Sequence, residues 1–236
     1  MSVAFRRSSL PAGLVLRAGL ASLALTLVAA AALWWFWIHW APARDRYPIQ
    51  GVAISSDQGT IDWRTVRTRG VDFAYIRATT GGARRDPAFA ANWAQAREAG
   101  LRYGAELYYD PCKKAIDQGT LFMTTVPRDN AALPPAIRLD FPRGCGLHPG
   151  RDSILSELNT LINLVEAQSG KPVLLHVSKA FDDAYDIGGG INRTLWLDGN
   201  FFPPDYAARP WVLWRASNAR RVDGIEGPVE WNVVAP

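Results

Sequence analysis

Short apolar runs alternate with longer amphipathic stretches from residue 51 to residue 216, and this alternation constrains the fold more than any other property of the chain. The runs at 51–55, 71–78, 101–109, 136–141, 172–177, 194–197 and 211–216 read as strands. Between them, 63–69, 86–99, 115–126, 153–169 and 179–187 read as helices. Phe89, Trp93 and Ala96 form one helical stripe and Ile154, Leu158, Leu161 and Val165 another, with Gly70 and Gly100 as stops. Strands joined by helices pair in parallel, and this many of them predicts a closed, irregular β/α barrel. Chemistry in such barrels gathers at the C-terminal ends of the strands, on or near which Ala53, Arg77, Glu106, Arg138, Asp140 and Trp214 fall.

A separate segment precedes this pattern. Residues 18–43 carry no charge, and roughly 20 apolar residues of helix cross a bilayer core. Arg6, Arg7 and Arg17 precede the run, and Trp34, Trp35, Phe36, Trp37 and Trp40 crowd its far end. That is the distribution of a span with its N-terminus in the cytoplasm. The expected organisation is a cytoplasmic N-terminus (1–17), a transmembrane signal-anchor (18–41), a linker (42–50) and one barrel domain (51–236). The alternative is a cleaved signal peptide, for which Ala41-Pro42-Ala43 offers a small-residue site.

The net charge of +4 belongs to the leader, because residues 1–47 hold five Arg and one Asp and leave 21 basic and 21 acidic residues beyond. A neutral domain has no electrostatic footprint for nucleic acid. Cys112 and Cys145 both lie in the exported part and are expected to pair, closing a loop of about 34 residues. With no Cys-x-x-Cys and three His in all, neither a metal nor a cofactor is expected.

Several motifs then occur in order. They are Gly51-Val-Ala-Ile-Ser-Ser-Asp-Gln-Gly-Thr-Ile-Asp-Trp63, Val71-Asp-Phe-Ala-Tyr-Ile-Arg-Ala-Thr-Thr-Gly81, and Asp86-Pro-Ala-Phe89 followed by Asn92-Trp93. Leu133-Pro-Pro135, Lys171-Pro-Val173 and Arg221-Val-Asp-Gly-Ile-Glu-Gly-Pro-Val-Glu-Trp-Asn232 complete the series. Together they resemble the glycoside hydrolase family 25 lysozymes, the N-acetylmuramidases, from about Gly51 to Val234. The resemblance implies an irregular β/α barrel whose groove binds peptidoglycan glycan strands. The charge and aromatic flanks of the N-terminal segment add the expectation of a bacterial inner-membrane protein, single-pass, with its C-terminal domain in the periplasm.

The acids that the family pattern implies do not all carry over. The opening-strand Asp falls on Ala53, the Glu after Ala-Thr on Thr80, and the central Asp-x-Glu on Arg138-Leu139-Asp140. The closing Asp falls on Glu230, and the third strand carries Glu106 where the pattern has Tyr. Glycoside cleavage passes through a cationic transition state flanked by two carboxyl groups. A carboxylate about 5 Å from that cation contributes roughly 3 kcal/mol at an effective dielectric near 20. Replacing it by Arg reverses the sign, a swing of about 6 kcal/mol or some four powers of ten in rate.

Three functions stay open on these residues. The first is a membrane-anchored, muramidase-like domain with hydrolysis lost or strongly reduced, which retains at most glycan binding. The second is an active muramidase with a rewired pair, Asp140 with Glu106 or Glu230. The third is a non-glycan interaction module of the envelope, its groove filled by Arg138, Glu106 and Arg215. Tyr75, Arg77, Tyr108 and Trp214 are candidate substrate-binding residues, and His176 reads as a packed residue. Arg138 is expected to pair with Asp140 or Glu106.

Overall fold

The computed structural model describes residues 12–142, 145–146 and 149–236. The chain divides into two compact units, one ending at His39 and one running from Trp40 to Pro236. The first holds a single helix, α1 (Ala12–His39), whose leucines at 20, 23, 25 and 27 are all exposed. Within it Gly19–His39, 21 residues, is long and apolar enough to cross a membrane, a criterion that a signal sequence also meets. Its helical length is about 31 Å. The basic flank at Arg6 and Arg7 lies outside the described residues.

The second unit runs β1 (Gln50–Ile54), α2 (Trp63–Thr68), β2 (Phe73–Thr80), β3 (Arg84–Arg85), α3 (Phe89–Glu98) and β4 (Arg102–Tyr108). It continues with α4 (Ala115–Thr125), β5 (Ala136–Leu139), α5 (Arg151–Ser169), β6 (Leu174–Val177), α6 (Lys179–Tyr185) and α7 (Ile187–Gly190). It ends with β7 (Thr194–Asp198), β8 (Trp211–Arg220) and β9 (Val229–Val234). The sheet order is β1-β9-β8-β7-β6-β5-β4-β2-β3, and β1 also pairs with β2. Eight strands therefore close into a barrel, with β3 as a short outside extension. All neighbours within the ring are parallel except β9, which runs against both β8 and β1. The helical pattern does not announce β9, because a turn rather than a helix leads into it.

Alternation of side chains along each strand sorts the residues into two layers. Phe73, Tyr75, Ala136, Leu174, Trp196 and Leu213 fill the barrel interior. Their sequence neighbours Ala74, Ile76, Ile137, Leu175, Leu195 and Trp214 face the helices in the outer core. Helix α5 buries Ile154, Leu158, Leu161, Ile162 and Val165 on that layer and stops at Gly170, which has φ 68°. Inside, Gly104 lets the Tyr75 ring pass, since a Cβ there would lie 2.5 Å from Tyr75 Cε1.

Residues 42–50 are packed rather than extended away from the barrel. The Gln50 amide donates to the carbonyls of Pro42 (2.9 Å) and Tyr47 (2.8 Å) and accepts from Trp231 Nε1 at 2.8 Å. The expected linker is thus part of the folded unit, tied down by one buried amide. Cys112 and Cys145 form the expected disulfide, with Cα atoms 5.9 Å apart.

Candidate functional site at the barrel mouth

The upper inward positions of the strands carry charge. Glu106 on β4, Arg138 on β5, His176 on β6, Asp198 on β7, Arg215 on β8 and Glu230 on β9 all follow the inward parity set by the apolar residues below them. They form one connected cluster. Arg138 Nη1 lies 2.7 Å from Glu230 Oε2, and Arg138 Nη2 lies 3.8 Å from Asp198 Oδ2. Arg215 bridges the same two acids, at 3.1 Å from Asp198 Oδ1 and 3.2 Å from Glu230 Oε1. His176 sits beneath, with Nδ1 2.6 Å from Glu106 Oε1 and Nε2 2.8 Å from Asp198 Oδ1. Its ring stacks on Trp196 at 3.9 Å.

Both imidazole nitrogens face carboxyl oxygens, an arrangement that favours the imidazolium. Burial and the Arg138 cation oppose that charge, but Asp198 and Glu106 outweigh them and raise the His176 pKa. Burial also pushes Asp198 and Glu230 toward the neutral form. His176, Arg215 and Arg138 overcome it at Asp198, and Arg138, His176 and Arg215 do so at Glu230, so both carboxyls fall below their ordinary range. The Asp198 and Glu230 carboxylates are thus matched by the Arg138 and Arg215 guanidiniums. Such a cluster has no proton on Glu230 to give to a leaving oxygen and no net negative charge to meet a cation.

Above it opens a cleft of about 510 Å³, bordered by Asp57, Arg77, Tyr108, Arg138, Asp140 and Glu230. The Tyr108 ring lies between two guanidiniums, Arg77 at 5.4 Å and Arg138 at 5.2 Å. Arg77 is itself held by Asp86 (2.9 Å) and Asp57 (3.1 Å). Thr80 also lines the cleft, whereas Ala53 is buried in the barrel interior.

Several expectations change. Among the described residues Asp140 has no ion pair. It is exposed just past β5 and accepts from Ser178 Oγ and its neighbour Phe141 N, both at 2.9 Å. Glu106 is bonded to His176 instead of Arg138, across the barrel interior between β4 and β6. His176 is buried as expected, but as a charged hub. Trp214 is 1% exposed and faces the outer core against Tyr47 and Trp211, since its parity is opposite to that of Arg215. Tyr75 is 2% exposed in the lower interior, its hydroxyl donating to Pro134 O at 3.0 Å. Of the four aromatic and basic candidates for substrate contact, Arg77 and Tyr108 reach the cleft. Asp198 was missing from the sequence expectations; its inward parity with Trp196 at a strand end is the signal that would find it.

The model for "Glycosyl hydrolases family 25" matches residues 52–225. The uncharacterized protein YegX of Escherichia coli K12 is 31% identical over 194 residues, covering 79% of this chain and 70% of that one. Lysozyme M1 of Streptomyces globisporus is 27% identical over 202 residues, 80% of this chain and 68% of its own. The structure of a family 25 glycosyl hydrolase from Bacillus anthracis superposes with a TM-score of 0.77 at 30% identity, covering 83% of this chain and 93% of that one. The bacterial lysozyme from Streptomyces coelicolor shares the fold, with a TM-score of 0.72 at 24% identity over 79% of this chain and 91% of its own.

Proposed function

The chain belongs to glycosyl hydrolase family 25, and from that membership we propose a membrane-held, lysozyme-like domain that faces peptidoglycan with hydrolysis lost or strongly reduced. One observation carries this reading. The Arg138 guanidinium occupies the cleft floor, clamped on Glu230 at 2.7 Å, where the family pattern implies an acid. A glycosidic transition state above it would meet a cation, and Glu230 is held ionised beneath it. Glycan binding is retained, on Tyr108, Arg77 and the cleft rim. The span at Gly19–His39 supports anchoring in a bacterial inner membrane with the barrel in the periplasm.

Incubation of the full chain with purified peptidoglycan, followed by titration of new reducing ends, tests the reading. Release at the level of a no-protein blank is expected, and release well above it overturns the loss of hydrolysis. A rewired enzyme is the second reading, favoured by Asp140, which opens on the same cleft as Glu230 without a cation partner among the described residues. Asp140→Asn would abolish cleavage in that case.

A further inference from the structure

The loop between β7 and β8 contains Gly199-Asn200-Phe201-Phe202-Pro203-Pro204. Phe202 is 78% exposed, well above Ile116 (49%) and Val212 (43%), the other exposed large apolar side chains of the barrel unit among the described residues. The preceding Phe201 has φ 67°, a left-handed conformation that is strained for a residue with a Cβ. The strain accompanies a specific contact. The Phe201 ring packs on Trp40 with centroids 4.8 Å apart, and its backbone N–H donates to Ala216 O at 3.0 Å. Trp40 in turn meets Trp214 edge-on at 6.4 Å, so the loop is fastened to the outer core of the barrel.

Trp40 is also the residue that directly follows the apolar segment Gly19–His39. Its Cα is about 3.8 Å from that of His39 by covalent geometry alone. An exposed phenylalanine is therefore held by a fastened loop whose aromatic support is the first residue beyond the span. Exposed Phe, Trp and Leu side chains bury themselves in the headgroup–acyl boundary of a bilayer. We propose that Phe202 and its loop dock into the phospholipid interface at the periplasmic end of α1, so that the barrel engages the membrane at a second point besides its covalent tether.

This inference rests on the anchoring reading. The full chain, reconstituted in phospholipid nanodiscs, tests it through an environment-sensitive fluorophore on a Phe202→Cys variant; the two native cysteines are consumed by the disulfide. An Ile116→Cys variant carries the same dye on α4, which follows the strand opposite β8 in the ring. Emission at position 202 is expected to shift to the blue and to be quenched by lipids brominated near the glycerol end, while position 116 is unaffected. Chain retained by the bilayer in alkaline carbonate, with no more quenching at 202 than at 116, overturns the docking and leaves the anchor standing. Release by carbonate overturns the anchor and the docking together.

Discussion

Arg138 on β5 and Glu230 on β9 meet at 2.7 Å from strands on opposite sides of the barrel ring. The contact spans the mouth, and Asp198 and Arg215 close the same circuit through β7 and β8. A charge pair of this kind adds little net stability over apolar residues of the same size, yet losing one partner leaves the other buried and uncompensated. The cluster therefore specifies the shape of the mouth more than it strengthens the fold.

Removal of one member should show that asymmetry. Arg138→Met leaves Glu230 and Asp198 short of a cation and is expected to destabilise the barrel by about 3–5 kcal/mol. The double variant Arg138→Met with Glu230→Gln should lose clearly less than the sum of the two single changes. Urea midpoints of the parent, both singles and the double give the coupling, and strict additivity would show that the pair is not coupled.

Stability should depend on pH through His176. Its folded pKa is raised above the ordinary 6.5, with burial and Arg138 opposing the charge and Asp198 and Glu106 prevailing. That contribution is complete below pH 6.5 and is lost as pH rises through the folded value. Asp198 works in the opposite sense. Its pKa is lowered, so its contribution is present above its ordinary 3.8 and lost as pH falls through the folded value. Denaturation midpoints across this range should decline on the alkaline side in the parent and decline less in His176→Gln. Equal alkaline slopes would place the titration elsewhere.

Much of this architecture was legible in the residues. The strands through β8, apart from the two-residue β3, and the stripes of α3 and α5 follow from periodicity, and the mouth was located because Arg138 and Glu106 lie at strand ends. What the sequence does not display is which inward residues meet across the ring. Glu106 bonds to His176, 70 positions away, and Arg138 to Glu230, 92 positions away. Those pairings depend on the stagger of strands around the barrel, which no local pattern records. Trp214 illustrates the converse. Its parity was available from the alternation with Arg215, and it places the ring in the outer core.

The disulfide should be a measurable support. Cys112 and Cys145 are 33 positions apart, and the chain-entropy model gives about 3–4 kcal/mol for a loop of that length. Thermal unfolding with and without a reductant is expected to differ by roughly 10 °C for a domain of this size. A Cys112→Ser, Cys145→Ser variant should unfold at the reduced protein's midpoint in both conditions. An unchanged midpoint on reduction would mean that the loop is constrained by its packing rather than by the bond.

Tyr108 and Trp214 separate cleft from core by experiment. Tyr108 borders the cleft between Arg77 and Arg138, so Tyr108→Ala should weaken co-sedimentation with peptidoglycan while the chain remains folded. Trp214 touches Tyr47, Trp40 and Trp211 in the outer layer. Trp214→Ala removes a large buried ring and should cost about 3–5 kcal/mol of stability. The fraction that stays folded should sediment with peptidoglycan as the parent does. If Trp214→Ala abolished sedimentation of folded chain and Tyr108→Ala left it unchanged, the binding surface would have to lie on the β8 flank rather than at the mouth.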